Sequence, residues 1–591
     1  MVHKIGIDFG TTNSLISVVS REGIVANFDD INKPHPSVVR YEGSQIICGR
    51  KAKEKLEVHG IGVIGNTVRG PKKLLNDDEV IVDGRTMSPV DVVTDYIKYL
   101  INHAKDGVDE GVADFTNAVV TIPVALDGRG RQALREALLN AGVYVETFVH
   151  EPLAALYAYF KEQDDSDNVI RRFTGKTVLV FDWGGGTLDL TLCKIINGSI
   201  VQVLNRGNNS IGGDYIDEAI LHFIEQKHAE QHGWTEDTLL QRNPGMKSRL
   251  LESCEKAKIT LSSKEKTNIF MPDYYQGKVD ESEIDYWLSR EDLESISKKI
   301  VNKGIAEIET LLSKDHANVD EQSISLCLAT GGMVNMPVIK RHLREKFGVA
   351  SLHISKHGDR IISNGAAWIA RDNLNVSLAK PFELLESRNS LLTIFQANTQ
   401  LPKRGESIKS KQSMYCTDPR DGKALFDFKR PAVPGKSGIA DPRDSYGVLS
   451  IEVNPEFPPF EERIEVQVTI DENLIANVNG IGLDWGKNNS IEYYDLEFAL
   501  KVSGVQAGTK SIKKRITLSN VKGIRQGLII RANVTEESKN WSLVPGELLN
   551  TVNKLPEFRY LKVPLTEKQR TENVRYQPCA RCGSNWAVEC C

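Results

Sequence analysis

Two stretches of the chain repeat one pattern of apolar and polar positions. In each, an apolar run ends in an aspartate, passes through a turn of glycine and threonine, and is followed by a second apolar run. The first copy spans residues 4–19 and contains Asp8, and the second spans residues 178–192 and contains Asp182. Short apolar runs on either side of a glycine-rich turn predict a β-hairpin. The repeat therefore predicts a two-lobed α/β molecule with one hairpin in each lobe.

Both predicted turns have the chemistry of a phosphate site. Glycine lets the backbone approach a ligand closely, consecutive N–H groups can surround anionic oxygens, and threonine adds hydroxyl donors. The two aspartates are predicted to hold Mg²⁺ through water, because Mg²⁺ gives up its hydration shell reluctantly. A tight hairpin that happens to contain glycine would explain either turn alone, but the matched pair favours a phosphate site. The predicted contacts are Gly10, Thr11, Thr12, Asn13, Gly184, Gly185, Gly186 and Thr187, with Asp8 and Asp182 at the metal.

Five further segments follow one another along the chain: residues 66–75 (NTVRGPKKLL), 120–124 (VTIPV), 150–155 (HEPLAA), 249–263 (RLLESCEKAKITLSS) and 329–337 (ATGGMVNMP). In this order they resemble the seventy-kilodalton heat-shock chaperones of the DnaK type, over about residues 3–371. This resemblance implies a duplicated, ribonuclease-H-like fold of the actin-like ATPase superfamily that binds ATP or ADP.

The resemblance also assigns two charged residues to catalysis. Lys72 would place a cation beside the transferred phosphate or orient the attacking water; the alternative is a solvated surface lysine. Glu151 precedes Pro152 at a strand-to-helix junction and would position water or Mg²⁺. Its alternative role is an acid that stabilises the start of a helix. The predicted catalytic residues are Asp8, Lys72, Glu151, Asp182 and Thr187.

An adenosine site is expected on a helix that contains Glu255, Lys258 and Ser262. Their spacing of three and four residues places them on one helix face, which suits either contacts to ribose and base or a solvent-facing stripe. The resemblance adds Ile259 on the same helix, the phosphate-side loop Gly212, Gly213 and Asp214, and a second adenosine segment with Gly331, Gly332, Met333, Asn335 and Asp359.

Two positions depart from the pattern of the resemblance. Many family members have an arginine where this chain has Asn335 and a serine where it has Met333. Loss of the arginine removes a stacking surface worth roughly 1 kcal/mol. We therefore expect Ile259 to cover one face of the base by apolar contact alone, with weaker nucleotide affinity and less secure adenine specificity.

The remainder of the chain is predicted to be rich in β-structure. We expect a nucleotide-binding domain at 1–371, a linker at 372–388, a β-sandwich at 389–500 that resembles the chaperones' peptide-binding domain, an additional β-rich region at 501–570 and a cysteine-rich tail at 571–591. Residues 382–386 (FELLE) match the family's leucine-rich coupling segment best, and a short amphipathic helix is the alternative there. The family's helical lid is expected to be missing or replaced. A plain sandwich without a client groove remains an alternative.

Four cysteines, Cys579, Cys582, Cys590 and Cys591, lie within the last 13 residues. A CxxC followed by glycine is typical of half a zinc site, but two adjacent cysteines form an irregular second half. Zinc binding, a redox or free-thiol tail, and incidental clustering remain open.

Composition narrows the possible partners. A chain of 591 residues is too long to fold around one hydrophobic core, so its length predicts three or four domains. The net charge of −5 predicts no nucleic-acid partner. The chain contains no run of about 18 apolar residues, the length that predicts a membrane helix. The chain begins directly with a predicted strand, without a signal peptide, so we expect a cytoplasmic protein.

Together these features predict an ATP-hydrolysing chaperone that controls a protein or peptide client through its β domain, aided by a co-chaperone or nucleotide-exchange factor. The alternatives are a nucleotide-gated scaffold with little turnover that serves one partner, and an actin-like filament protein. Measured turnover and its response to clients separate the first two.

Overall fold

The computed structural model describes residues 3–56, 62–107, 113–208, 210–235, 241–277, 279–313, 317–386, 390–416, 419–436, 438, 441–458, 461–502 and 576–577. The chain forms two compact units. The first comprises Met1–Val376 and Glu497–Gly504, and the second comprises Ser377–Leu496 and Val505–Cys591.

The first unit contains strands and helices in alternation. Its strands before the second unit are β1 (His3–Phe9), β2 (Asn13–Val19), β3 (Val25–Phe28), β4 (His35–Pro36), β5 (Val38–Glu42), β6 (Gln45–Cys48), β7 (Gly62–Ile64), β8 (Thr67–Arg69), β9 (Val80–Val82), β10 (Arg85–Met87), β11 (Ala113–Ile122), β12 (Tyr144–His150), β13 (Thr177–Trp183), β14 (Leu188–Ile196), β15 (Ser199–Asn208), β16 (Lys266–Met271), β17 (Ile284–Ser289), β18 (Ile324–Thr330) and β19 (Leu352–Ile354). Its helices are α1 (Arg50–Lys53), α2 (Pro89–Asp106), α3 (Gly128–Asn140), α4 (Glu151–Lys161), α5 (Ser166–Arg172), α6 (Gly213–His232), α7 (Met246–Leu261), α8 (Val279–Ser282), α9 (Arg290–Leu312), α10 (Pro337–Ser351) and α11 (Ile361–Asp372), with 3₁₀ helices at Pro71–Leu74, Glu321–Ser323 and Gly332–Asn335.

The described elements after α11 are strands. They are β20 (Val376–Leu378), which straddles the boundary between the units, β21 (Phe382–Glu386), β22 (Ser390–Phe395), β23 (Ser407–Cys416), β24 (Lys423–Pro431), β25 (Arg443–Glu452), β26 (Arg463–Asp471), β27 (Ala476–Gly482), β28 (Asn488–Tyr493), β29 (Phe498–Lys501) and β30 (Tyr576–Gln577).

Two sheets with the same plan organise the first unit. The first sheet has the order β12-β11-β1-β2-β3, and the second contains the order β19-β18-β13-β14-β15-β29. In the first, β1 is antiparallel to β2 and parallel to β11; in the second, β13 is antiparallel to β14 and parallel to β18. Asp8 lies opposite Thr121, and Asp182 lies opposite Thr330, so the aspartates occupy equivalent positions. The predicted duplication with one hairpin in each lobe is confirmed.

Helices α4 and α11 pack against each other beside the first sheet, and α11 also covers β1 and β2. Their backbones approach closely at Gly365, where a Cβ atom would lie 1.9 Å from the Ala154 carbonyl oxygen. Only a residue without a side chain fits such a crossing. This packing fixes the direction of α4, whose first residue is Glu151.

The described residues of the second unit form two sheets that pack as a sandwich. One has the order β22-β21-β24-β25, and the other has the order β28-β27-β26-β23-β30. Strand β25 packs against β27 and β28, which brings the sheets face to face. Alternate residues of β26, namely Ile464, Val466, Val468 and Ile470, are fully buried, as expected for a strand with one face on the core.

Two sequence expectations differ from this architecture. Residues 382–386, predicted to lie in a linker, form β21, which pairs with β22 and β24, so the amphipathic helix considered for them is wrong. The second unit starts at Ser377 because Phe382 and Leu384 are buried in its sheet. Residues 503–575 and 578–591, which carry most of the predicted β-rich region and the four clustered cysteines, lie outside the described residues.

The close crossing of α4 and α11 generates a stability prediction. Gly365→Ala places a methyl group on the Ala154 carbonyl, so the helices must separate, and we expect a loss of about 1–3 kcal/mol. Thermal unfolding of the full chain measures this effect. Gly107→Ala is the matched control, because its new methyl group would have no contact closer than 3.7 Å. Equal melting temperatures for the two variants would contradict the proposed steric constraint.

Candidate active site

A cavity of about 590 Å³ lies between the turn that follows β1 and the turn that follows β13. Most of the residues selected from the sequence line it. They are Asp8, Gly10, Thr11, Thr12, Asn13, Lys72, Glu151, Asp182, Gly184, Gly185, Gly186, Thr187, Gly213, Asp214, Glu255, Lys258, Ile259, Ser262, Gly331, Gly332, Met333 and Asp359.

Glycine is required in these turns for steric reasons. A Cβ atom on Gly10 would lie 2.2 Å from the Asn13 carbonyl oxygen, so the first turn closes only without a side chain. Gly212 does not line the cavity; it lies against the second turn, where a Cβ atom would be 2.3 Å from the Gly185 carbonyl oxygen. The following N–H of Gly213 donates to Gly184. The loop at Gly212 therefore packs against the turn at Gly184 and Gly185 without lining the cavity.

Lys72 lies inside the cavity, on the 3₁₀ helix Pro71–Leu74. Its Nζ donates a hydrogen bond of 2.9 Å to Oε1 of Glu151. Only 6% of Lys72 is exposed, whereas the adjacent Lys73 is exposed, so the solvated-surface interpretation of Lys72 does not hold. The pair joins the loop after β8 to the start of α4.

The carboxyl groups around this pair are strongly perturbed. Burial and the nearby Glu151 carboxylate raise the pKa of Asp8 to about 7, against the opposing effect of Lys72. Burial, Glu151 and Asp189 raise the pKa of Asp182 to about 8. Burial and Glu151 also raise the pKa of Asp189 to about 6. Four carboxyl groups thus surround one ammonium group, an arrangement that favours additional positive charge.

The donor set fits Mg²⁺, a hard cation that prefers oxygen ligands. Within the described part of the chain, no three His, Cys, Asp or Glu side chains are close enough to bind one ion directly. Binding of Mg²⁺ by Asp8 and Asp182 through water stays a prediction.

Asp189 is a site residue that the sequence analysis missed. Its carboxylate accepts a 3.0 Å hydrogen bond from Thr187 Oγ1, and it lines the cavity. The available signal was its position two residues after Thr187, where a polar residue interrupts the apolar run that continues at Leu190.

The predicted adenosine face of α7 points at the cavity rather than at solvent. Glu255 accepts hydrogen bonds of 3.0 and 2.8 Å from Lys53. Lys258 is buried and donates 2.8 Å bonds to the Gly213 carbonyl and to Asp217. These ion pairs fix the shape of the pocket wall, and the solvent-facing stripe considered for this face is wrong for Lys258.

The apolar part of the adenosine end differs slightly from expectation. Ile259 lines the cavity although 55% of it is exposed, so an apolar surface is available to a base. Asn335 is exposed and does not line the cavity, whereas Met333 and Met336 do. The 3₁₀ helix Gly332–Asn335 explains this, since side chains three residues apart, such as Met333 and Met336, lie on the same side of such a turn and Asn335 lies on another.

Two ion pairs connect the first lobe to the second across the cavity. Lys53 of α1 pairs with Glu255 of α7 at 2.8 Å, and Arg69 of β8 pairs with Asp214 of α6 at 3.4 Å. Burial disfavours the ionised Glu255, but Lys53, Lys258 and Arg69 together outweigh burial and hold the pKa of Glu255 below its ordinary value. Glu255 is therefore ionised at neutral pH, and its pairing with Lys53 favours a closed cleft.

Two glycine turns and two aspartates lie at equivalent ends of two sheets, beside a buried lysine. This arrangement defines a nucleotide-binding protein of the actin-like ATPase class. The family model described as Hsp70 protein matches residues 4–78 and 67–511. This chain belongs to the Hsp70 family, and its two-lobed ATPase unit is followed by a β-sandwich. The family has an ATP-dependent chaperone function, and its members bind ATP or ADP with Mg²⁺, protein clients and co-chaperones.

The family match ends at residue 511, before the predicted zinc site. Cys579, Cys582, Cys590 and Cys591 lie outside the described residues, and zinc binding by them stays a prediction. Within the residues that the structure describes, no helix combines the length and apolar character needed to span a membrane.

The cleft-crossing ion pair generates a prediction about nucleotide release. Glu255→Gln removes the charge that attracts Lys53, a partly exposed pair worth about 0.2–1 kcal/mol, so we expect release to accelerate up to roughly fivefold. Stopped-flow dissociation of a fluorescent ATP analogue measures the rate. Glu252→Gln is the matched control, because Glu252 pairs with Lys256 on the same helix without spanning the cleft. Equal release rates for the two variants would show that the pair does not hold the cleft closed.

Proposed function

We propose that the protein hydrolyses ATP slowly and that its nucleotide state controls the binding of a protein client by the β-sandwich. The observation that carries the proposal is the Lys72–Glu151 pair, held at 2.9 Å in a cavity that also contains Asp8 and Asp182. A cation, a water-positioning carboxylate and two phosphate turns are together sufficient for phosphoryl transfer to water.

Each residue has a role set by its position. The turn residues Thr11 and Thr187 donate to phosphate oxygens, and Lys72 stabilises charge on the transferred phosphate. Glu151 orients the attacking water, since phosphoryl transfer depends mainly on positioning and charge stabilisation. Bound Mg²⁺ would supply further positive charge at the phosphates, with Asp8 and Asp182 holding its water ligands.

Client binding is proposed for the second unit. Among the described residues its sheets end in edge strands, and an extended peptide can pair along such an edge by β-augmentation. Membership of the Hsp70 family supports a protein client and a co-chaperone or exchange factor. The alternative is a nucleotide-gated scaffold that binds ATP without turnover and serves one partner.

A cytoplasmic location is part of the proposal. Four of the described cysteines, Cys48, Cys193, Cys254 and Cys327, are free and buried. Reduced, unpaired cysteines are typical of proteins from a reducing compartment.

Steady-state ATP turnover with Mg²⁺, with and without an unfolded client protein, tests this function. Lys72→Ala removes the cation beside the transferred phosphate, and we expect turnover to fall by about 10²–10³-fold. Lys105→Ala, an exposed lysine on α2, controls for loss of positive charge and should retain wild-type turnover.

The result separates the candidate functions. Turnover that the client accelerates and Lys72→Ala abolishes supports a coupled chaperone ATPase. Wild-type turnover no higher than that of Lys72→Ala, with ATP still bound in calorimetry, would exclude the enzyme and favour the nucleotide-gated scaffold.

A further inference from the structure

We propose that strand β29, the segment that follows the sandwich in sequence, positions Glu151 for ATP hydrolysis through contacts of Phe498 with His150 and Gln202. This inference rests on the proposed ATPase function. It makes Phe498 and Gln202 positioning residues, since they would act on the reaction through the chain next to Glu151.

The first contact is between two rings. His150 is the last residue of β12 and the N-cap of α4, so it directly precedes Glu151. Its imidazole stacks on the Phe498 ring, with centroids 4.3 Å apart and planes inclined by 28°. Both residues are fully buried. The residue before Glu151 is thus packed against a strand that lies about 350 positions later in the chain.

The second contact runs through one amide oxygen. Oε1 of Gln202, on β15, lies 2.9 Å from Nδ1 of His150 and accepts a 2.9 Å hydrogen bond from the backbone N–H of Phe498. Because this oxygen accepts from the backbone, Nδ1 of His150 must be the second donor. Nε2 of Gln202 donates to Asn205 at 3.3 Å, which fixes the orientation of the amide.

Strand β29 is held in place by the second sheet. It pairs antiparallel with β15, with Ala499 opposite Val201 and Leu500 opposite Ile200. The N–H of Val502 extends the pairing by donating to Gly198 at 2.9 Å. Phe498, Ala499 and Leu500 are fully buried. The pairing of β29 with β15 therefore holds Phe498 against His150.

The consequence for catalysis follows from the position of His150 between the two lobes. β12 belongs to the first sheet and β15 to the second, so Phe498 and Gln202 hold the start of α4 against the second lobe. Glu151 must keep its carboxylate near Lys72 and the attacking water, and a misplacement of about 1 Å reduces a rate by about 10²-fold. Residue 497 directly follows the second unit and precedes Phe498. A displacement of the chain at residue 497 can therefore reach Glu151 through Phe498 and His150.

The test compares Phe498→Ala with Leu500→Ala in the full chain. Both remove a fully buried apolar side chain from the same strand, but it is the Phe498 ring that stacks on His150. For Phe498→Ala we expect kcat for ATP to fall at least about tenfold with KM unchanged, because Glu151 is displaced while the nucleotide contacts remain. Leu500→Ala should keep kcat within about twofold of wild type. Equal losses of kcat in the two variants, or a rise in KM as the main effect, would overturn the proposal.

Two further measurements keep the test decisive. Gln202→Asn, whose shorter amide fails to reach His150, replaces Phe498→Ala in the test if Phe498→Ala does not fold. We expect the same loss of kcat with KM unchanged. Hydrogen exchange in the second turn of α4, where N–H groups bond back to the first turn, should accelerate at least about tenfold in Phe498→Ala and not in Leu500→Ala.

The exchange measurement does not depend on turnover. If the wild-type protein hydrolyses no more ATP than Lys72→Ala, the proposed function fails. Exchange that is equal in the two strand variants would still overturn the positioning role by itself.

Discussion

The nucleotide cleft depends on one ammonium group, that of Lys72, among the carboxyl groups of Glu151, Asp8, Asp182 and Asp189. The ammonium bonds directly to Glu151, and burial together with repulsion between neighbouring carboxylates raises the pKa of the three aspartates. A buried cluster of four carboxyl groups is costly in its fully ionised form unless cations complete it. The same deficit of positive charge that destabilises the cluster creates a site for Mg²⁺ with its nucleotide.

The duplicated fold is what assembles this cluster. Each lobe places an aspartate at the end of a central strand, opposite a threonine on the parallel neighbour. The glycine turn after each strand leaves room for phosphates, and the tight crossing of α4 and α11 directs Glu151 into the cleft from the first lobe. Ion pairs such as Lys53–Glu255 then join the lobes across the cavity. Phosphate binding and lobe closure are thus consequences of one architecture.

Much of this site could be predicted, and the failures have physical causes. Asp8 and Asp182 were visible because short apolar runs and glycine turns are local signals. Asn335 was placed at the pocket because a sequence match does not reveal how a 3₁₀ helix directs its side chains. Residues 382–386 fit a strand or a short helix equally, and only their pairing with β22 and β24 decides. The role of β29 was hidden because its partner β15 is about 300 residues away, and no local pattern encodes such a contact.

The most direct test of the central claim is the affinity of the wild-type protein for ATP, measured by calorimetry with and without Mg²⁺. The carboxyl cluster repels free ATP and accepts its magnesium complex, so we predict affinity at least about tenfold higher with Mg²⁺, which corresponds to about 1.4 kcal/mol or more. Equal affinity in the two conditions would contradict the account, because the carboxyl groups would then have no cation to hold at the phosphates.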